Sequence, residues 1–153
     1  MLGLFKKKKT HFFSNKEKEN ILQAIRSAEQ RTSGELRLYV ENHNRFVEPL
    51  DRAAEVFLSL KMGETELKNA VLVYVAVKDR QLAILGDSGI HEKVGSEFWN
   101  AEVAKMISLI RDQQLSVGII NIIKDIGEAL CNHFPYDADV DKNELPDEIV
   151  FGD

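Results

Sequence analysis

A chain of 153 residues, 44% hydrophobic and 29% charged, carries enough apolar side chains for one globular domain with a real core. Its formal charge of −5 excludes a broad nucleic-acid-binding surface, which needs a basic face to displace counterions from phosphates. No apolar run approaches the roughly 20 residues of a membrane-spanning helix, and a single cysteine, Cys131, leaves no internal disulfide to stabilise the fold.

At the N-terminus "MLGLF" precedes the lysine run Lys6–Lys9, the reverse of the order in a signal peptide, so a cytoplasmic location is expected and residues 1–12 read as a basic flexible tail. Ser14 followed by Glu17 forms a capping box, and Ile21, Leu22, Ile25 and Ala28 then recur at helical spacing up to about Gln30. "TSG" ends that helix. "ELRLYVE" alternates, with Leu36, Leu38 and Val40 on the core face and Glu35, Arg37, Tyr39 and Glu41 on the other, the pattern of a half-buried strand. Pro49 suits the first turn of a second helix, whose apolar stripe is Leu50, Ala53, Ala54, Phe57 and Leu58 before Gly63.

"AVLVYVAV", from Ala70 to Val77, is almost continuously apolar and predicts a strand covered on both faces; "KDR" then turns the chain back into "QLAIL". Two further helical patterns follow. One carries Phe98, Val103, Met106, Ile107 and Ile110, the other Ile120, Ile123, Gly127, Leu130 and Phe134, with Cys131 among them as a buried thiol. The order helix, strand, helix, strand, strand, helix, helix predicts an α/β fold, a three-layer α/β/α sandwich around a small mixed sheet, in a single domain over residues 13–134.

Residues 135–153 remain as an acidic C-terminal tail. Its stretch "DADVDKNELPDE" sets Asp137, Asp139, Asp141 and Glu148 at EF-hand ligand positions. Lys142, however, stands where that loop needs glycine, Pro146 stiffens its second half, and no exiting helix follows. Self-repulsion and scarce apolar surface predict a tail largely without fixed structure and only weak calcium affinity. Phe12, Phe13 and the terminal "EIVF" are apolar enough to dock, either on this domain or on a protein partner.

Topology decides which loops meet. Two strands joined by a helical crossover run parallel, and the hairpin returns the third beside the second, so Gly86 and Asp87 should lie next to the starts of the other two strands at Glu35 and Asn69. That edge gathers Glu35, Glu66, Asn69, Asp87, Glu92 and Glu97 as oxygen donors suited to Ca²⁺ or Mg²⁺, with Gly86 and Gly89 allowing close approach of carbonyls. Asp87 reads equally as the cap of a helix starting near Ile90. His91 adjoins the same edge, whereas His11, His43 and His133 are scattered elsewhere.

"RTSGELRLYVE", the block "KNAVLVYVAVKDRQLAILGDSGIHEKVG" and the terminal helical pair, in that order and spacing, resemble the TPM domain family over Phe13–Phe134. The resemblance implies an α/β/α sandwich. Some relatives, notably in the plant thylakoid lumen, are assigned acid phosphatase activity and bind calcium; others are adaptor or assembly domains. It carries Glu35, Asn69 and Asp87 over as metal ligands, with Gly89 in the "GD-x-G" turn, although Ala70 replaces a glycine that many relatives have after the asparagine. The expected function is therefore a Ca²⁺- or Mg²⁺-binding domain. The alternatives are a metal-assisted phosphatase, with Asp87 as its catalytic carboxylate beside Arg31 or Lys68, and an interaction module. The chain is read as a monomer with a divalent cation as its ligand, no nucleic-acid partner and no integral membrane segment.

Overall fold

A computed structural model of the chain describes residues 12–45, 48–111, 114–137 and 149–152. Its elements in chain order are α1 (Asn15–Glu29), β1 (Glu35–Glu41), α2 (Pro49–Ser59), β2 (Ala70–Ala76), β3 (Gln81–Gly86), α3 (Ser88–Val94), α4 (Ser96–Arg111), α5 (Leu115–His133) and β4 (Ile149–Phe151). The capping box forms as expected: Ser14 Oγ accepts from Glu17 N at 3.1 Å, and Ser14 N donates to Glu17 Oε1 at 2.9 Å. Strand order is β3-β2-β1-β4. β1 and β2 pair in parallel from Glu35↔Ala70 to Glu41↔Ala76, and β3 runs antiparallel to β2. The predicted single-domain α/β/α sandwich with a mixed sheet is the observed fold; α3 is the expected helix near Ile90, capped by Asp87, and β4 is added to the expected elements.

Alternation along the strands feeds two cores. Leu36, Leu38, Val40, Val71, Val73, Val75, Leu82 and Ile84 face α1, α4 and α5, while Ala70, Leu72, Tyr74, Ala76 and Ala83 face Ala53, Val56 and Phe57 of α2. All seven residues of β2 are buried, as its unbroken apolar run requires.

β1 departs from the expectation of an outward polar face. Glu35, Arg37 and Glu41 are buried, on the sheet face where α2 packs against β2 and β3. The burial is compensated at Glu41: Arg52 donates to both carboxylate oxygens, at 2.8 and 2.9 Å, and Tyr74 donates its hydroxyl at 2.5 Å. Arg52 also lies over the Tyr39 ring, 5.7 Å from its centroid. The α2 stripe is narrower than predicted, since Leu50, Ala54 and Leu58 face solvent while Ala53, Val56 and Phe57 pack inward. On α5 the buried stripe runs Ile119, Ile122, Ile123, Ile126 and Leu130, so Ile120 lies at its margin; Cys131 is half-buried.

The last described residues close the sheet. β4 pairs in parallel with β1 from Leu38↔Ile149 to Val40↔Phe151, and Gly152 N donates to Val40 O at 2.7 Å. Phe151 stacks on Phe12 with centroids 5.7 Å apart and tilts against buried Phe13 at 6.4 Å. Of the two docking modes left open for these aromatics, the one on this domain is thus realised. Asp139, Asp141, Lys142, Pro146 and Glu148 of the EF-like stretch, and Lys6–Lys9, lie outside the described residues; Asp137 is exposed.

"TSG" does more than end a helix. Thr32 Oγ1 donates toward the carbonyls of Leu130, at 3.1 Å, and Phe134, and it accepts from Gly34 N at 3.0 Å. One buried hydroxyl thereby reinforces the C-terminus of α5, whose Leu130 and Phe134 carbonyls also accept from Phe134 N and Ser33 N, and it fixes the entry to β1. Thr32→Val keeps the shape and removes the hydroxyl, so it is expected to cost about 1–3 kcal/mol in urea unfolding. A loss within measurement error would show that α5 is not held there.

Candidate functional site

The parallel register puts Glu35 beside Ala70, and Asp87 N donates to Ala70 O at 2.9 Å, so Glu35 and Asp87 flank Ala70 at one end of the sheet. Two strand spacings, about 9.5 Å, separate their backbones. Only the small side chain of Ala70 intervenes.

Asp87 has two occupations. Its Oδ1 accepts from Ser88 N at 2.7 Å and caps α3, whereas Oδ2 is buried and accepts no hydrogen bond from any described residue. Oδ2 looks toward the 60–69 turn, where it would lie 4.0 Å from a Cβ placed on Gly63. In that turn Thr65 is buried with no partner for its Oγ1, and the buried Oδ1 of Asn69 likewise accepts nothing, while Asn69 Nδ2 faces Ser33 Oγ at 3.4 Å. Thr65 had no signal in sequence, because threonine in a polar loop ordinarily faces solvent.

The turn is held from two sides. Lys61 and Lys68 adopt positive φ, 57° and 51°, and Lys68 Nζ donates to Gly63 O at 2.7 Å. α3 closes over the same backbone: Ile90 N donates to Lys68 O, and a Cβ on Gly89 would fall 2.1 Å from Leu67 O and 2.5 Å from Lys68 O. The two glycines of "GDSG" therefore act differently from expectation. Space beside Gly89 is filled by those carbonyls and space beside Gly86 by the Trp99 ring, so both serve packing rather than access for a ligand.

The remaining candidates do not converge. Glu66, Glu92 and Glu97 are exposed, and His91 accepts from Trp99 Nε1 at 3.0 Å. Arg31 pairs with Glu128 of α5 at 3.7 Å. Among the described residues no group of three or more His, Cys, Asp or Glu side chains has metal-holding geometry. The oxygens gathered at this sheet end are one carboxylate oxygen of Asp87, the Thr65 hydroxyl and the Asn69 amide oxygen, with Glu35 across Ala70, all donors of the class that Ca²⁺ and Mg²⁺ prefer. No helix among the described residues is long and apolar enough to cross a membrane.

The chain matches the TPM domain model over residues 7–129. Its structure is similar to the NMR structure of BA42 protein from the psychrophilic bacterium Bizionia argentinensis, with a TM-score of 0.84, 38% identity, and coverage of 95% of this chain and 99% of that one. A second similarity, of fold alone, is to the N-terminal domain of cg2496 protein from Corynebacterium glutamicum, with a TM-score of 0.58, 13% identity, and coverage of 80% and 76%. No curated protein sequence matches. Since the family model spans most of the chain and the Bizionia relative nearly all of it, the chain belongs to the TPM domain family.

Proposed function

We propose that this TPM domain binds a divalent cation, Ca²⁺ or Mg²⁺, with Asp87, Asn69 and Glu35 as protein ligands and the Thr65 hydroxyl and backbone carbonyls completing the shell. The observation that carries the reading is Asp87 Oδ2, a buried carboxylate oxygen with no hydrogen-bond donor among the described residues. An uncompensated buried acceptor costs stability that a bound cation would recover. A phosphatase reading has less support, because a basic group is needed over the transferred phosphate. Arg31 is engaged by Glu128, and Lys68 by the Gly63 carbonyl.

Added Ca²⁺ or Mg²⁺ is expected to raise the melting temperature and EDTA to reverse the rise, since a ligand bound only by the folded state stabilises it. Asp87→Asn separates the two occupations of this residue. Asparagine caps helices as well as aspartate does, so the variant should fold and yet lose most of the metal response. Because β4 follows the acidic stretch, truncation there would also remove a strand; the proper control is the triple substitution Asp139→Asn, Asp141→Asn, Glu148→Gln. A metal response kept in Asp87→Asn and lost in the triple variant would move the site to the tail.

A further inference from the structure

We propose a second ligand site, in the cleft between α4 and α5, that takes an alkylammonium group: its charge would lie on the Glu102–Asp125 carboxyl pair and its chain along Phe98, Val94 and Ala129. The open cleft, of about 520 Å³, is lined by these residues together with Lys93, Lys105, Glu128, Asn132 and His133. It shares no residue with the Asp87 site.

In this cleft Glu102 is the residue that ordinary packing leaves unexplained. Its side chain is only 5% exposed, it lines the cleft, and its buried Oε1 accepts no hydrogen bond from the described residues. A carboxylate oxygen stripped of water and given no donor is costly, and natural proteins keep such groups chiefly where something binds. The ligand's chemistry is already displayed by the chain itself. Lys105 Nζ sits 3.1 Å from Glu102 Oε2 and 3.0 Å from Asp125 Oδ2, so an ammonium fits between the two carboxyls. Lys105 reaches that place from outside, with its side chain 61% exposed against 5% for Glu102 and 39% for Asp125.

One ammonium does not satisfy the pair. Burial, and then the hydrogen bond shared with the neighbouring Asp125 carboxyl, push the Glu102 pKa up against the pull of Lys105, so the lysine alone does not make charge on Glu102 favourable. An organic cation needs only the two carboxyls, and the half-buried Phe98 and Val94 with buried Ala129 supply an apolar wall for its chain.

The test is an NMR titration of the full chain with n-butylammonium, with n-butanol as the uncharged counterpart. Butylammonium should shift the amides of residues 93–105 and 125–133, and butanol should leave them in place. Glu102→Gln should weaken binding about tenfold or more, the scale of a lost charge-assisted hydrogen bond. Lys105→Met, which vacates the internal ammonium's place, should strengthen it. Should Glu102→Gln fail to fold, Asp125→Asn on the exposed side of the pair carries the same expectation. Equal response to butanol, an unchanged affinity in the carboxyl variants, or weaker binding in Lys105→Met would each overturn the proposal. A lysine-bearing peptide compared with the free amine identifies the source: tighter binding of the peptide assigns the ammonium to a protein partner, and tighter binding of the amine to a metabolite.

Discussion

Gly89→Ala is expected to unfold at a melting temperature about 10 °C below the parent chain. The added methyl would enter at 2.1 Å from Leu67 O and 2.5 Å from Lys68 O, and both atoms belong to backbone that cannot rotate away as a side-chain tip can. α3 must back off, or the 60–69 turn must shift. Overpacking of this kind costs about 1–3 kcal/mol and sometimes more, and in a domain of this size each kcal/mol moves the midpoint by about 2–4 °C. Either adjustment also moves Asp87 relative to Thr65 and Asn69, so the gain in melting temperature on adding Ca²⁺ should fall with it. Thermal denaturation followed by circular dichroism, with and without the ion, reads both quantities. A parental midpoint would mean that α3 and the turn do not meet at Gly89.

Arg52→Ala should be comparably damaging for an electrostatic reason. In the parent chain burial pushes the Glu41 carboxyl up, but hydrogen bonds from Arg52 and Tyr74 and the Arg52 charge outweigh it and hold the pKa below its ordinary 4.5. A depressed carboxylate contributes stability above its unfolded pKa and loses it as pH falls through the folded value. Removal of the guanidinium leaves a buried carboxylate with Tyr74 as its remaining donor in this network. Breaking a buried pair from one side costs about 3–5 kcal/mol. Arg52 keeps 21% of its side chain exposed, which places the expectation at the lower end, about 3 kcal/mol. With burial now dominant, the Glu41 pKa in the variant should rise above its ordinary value. The sign then reverses: ionisation opposes folding, and protonation relieves it. The gap between parent and variant in urea unfolding should therefore narrow from neutral pH toward about pH 4. A gap independent of pH would assign Arg52 a packing role over Tyr39 instead.

Much of this arrangement was legible in sequence because local and global signals agree there. The capping box at Ser14, the alternation of β1, the apolar run of β2 and the short turn into β3 each follow from side-chain periodicity. From parallel crossover plus hairpin, the meeting of Glu35, Asn69 and Asp87 at one sheet end follows by topology alone. What escaped depends on neighbours that no local pattern encodes. Alternating Glu35, Arg37 and Glu41 read as a wet face, yet all three are buried and Arg52, from the next helix, completes Glu41. The adjacent pairs Ile119–Ile120 and Ile122–Ile123 fit more than one helical stripe, and only packing against α1 and the sheet selects between them. Three residues after an acidic stretch carry no strand period, so β4 emerges only once the free edge of β1 is on hand to pair with it. Thr65 and Glu102 escaped for the same reason: their burial is set by the turn and helices around them.

β4 has a further consequence for life in a crowded solution. A three-residue strand held to a distant partner is the part of the sheet most readily released by local opening, and its release bares the N–H and C=O groups along β1 together with the faces of Phe12 and Phe13. A bare edge of that kind is a template for edge-to-edge association between copies. Seven acidic residues against one lysine from Asp137 to Asp153 surround β4 in sequence, so two chains whose edges open together bring like charges into contact before their strands can pair. The charge of the stretch that resembles an EF-hand is thus expected to oppose self-assembly, and its neutralisation to favour concentration-dependent association in light scattering.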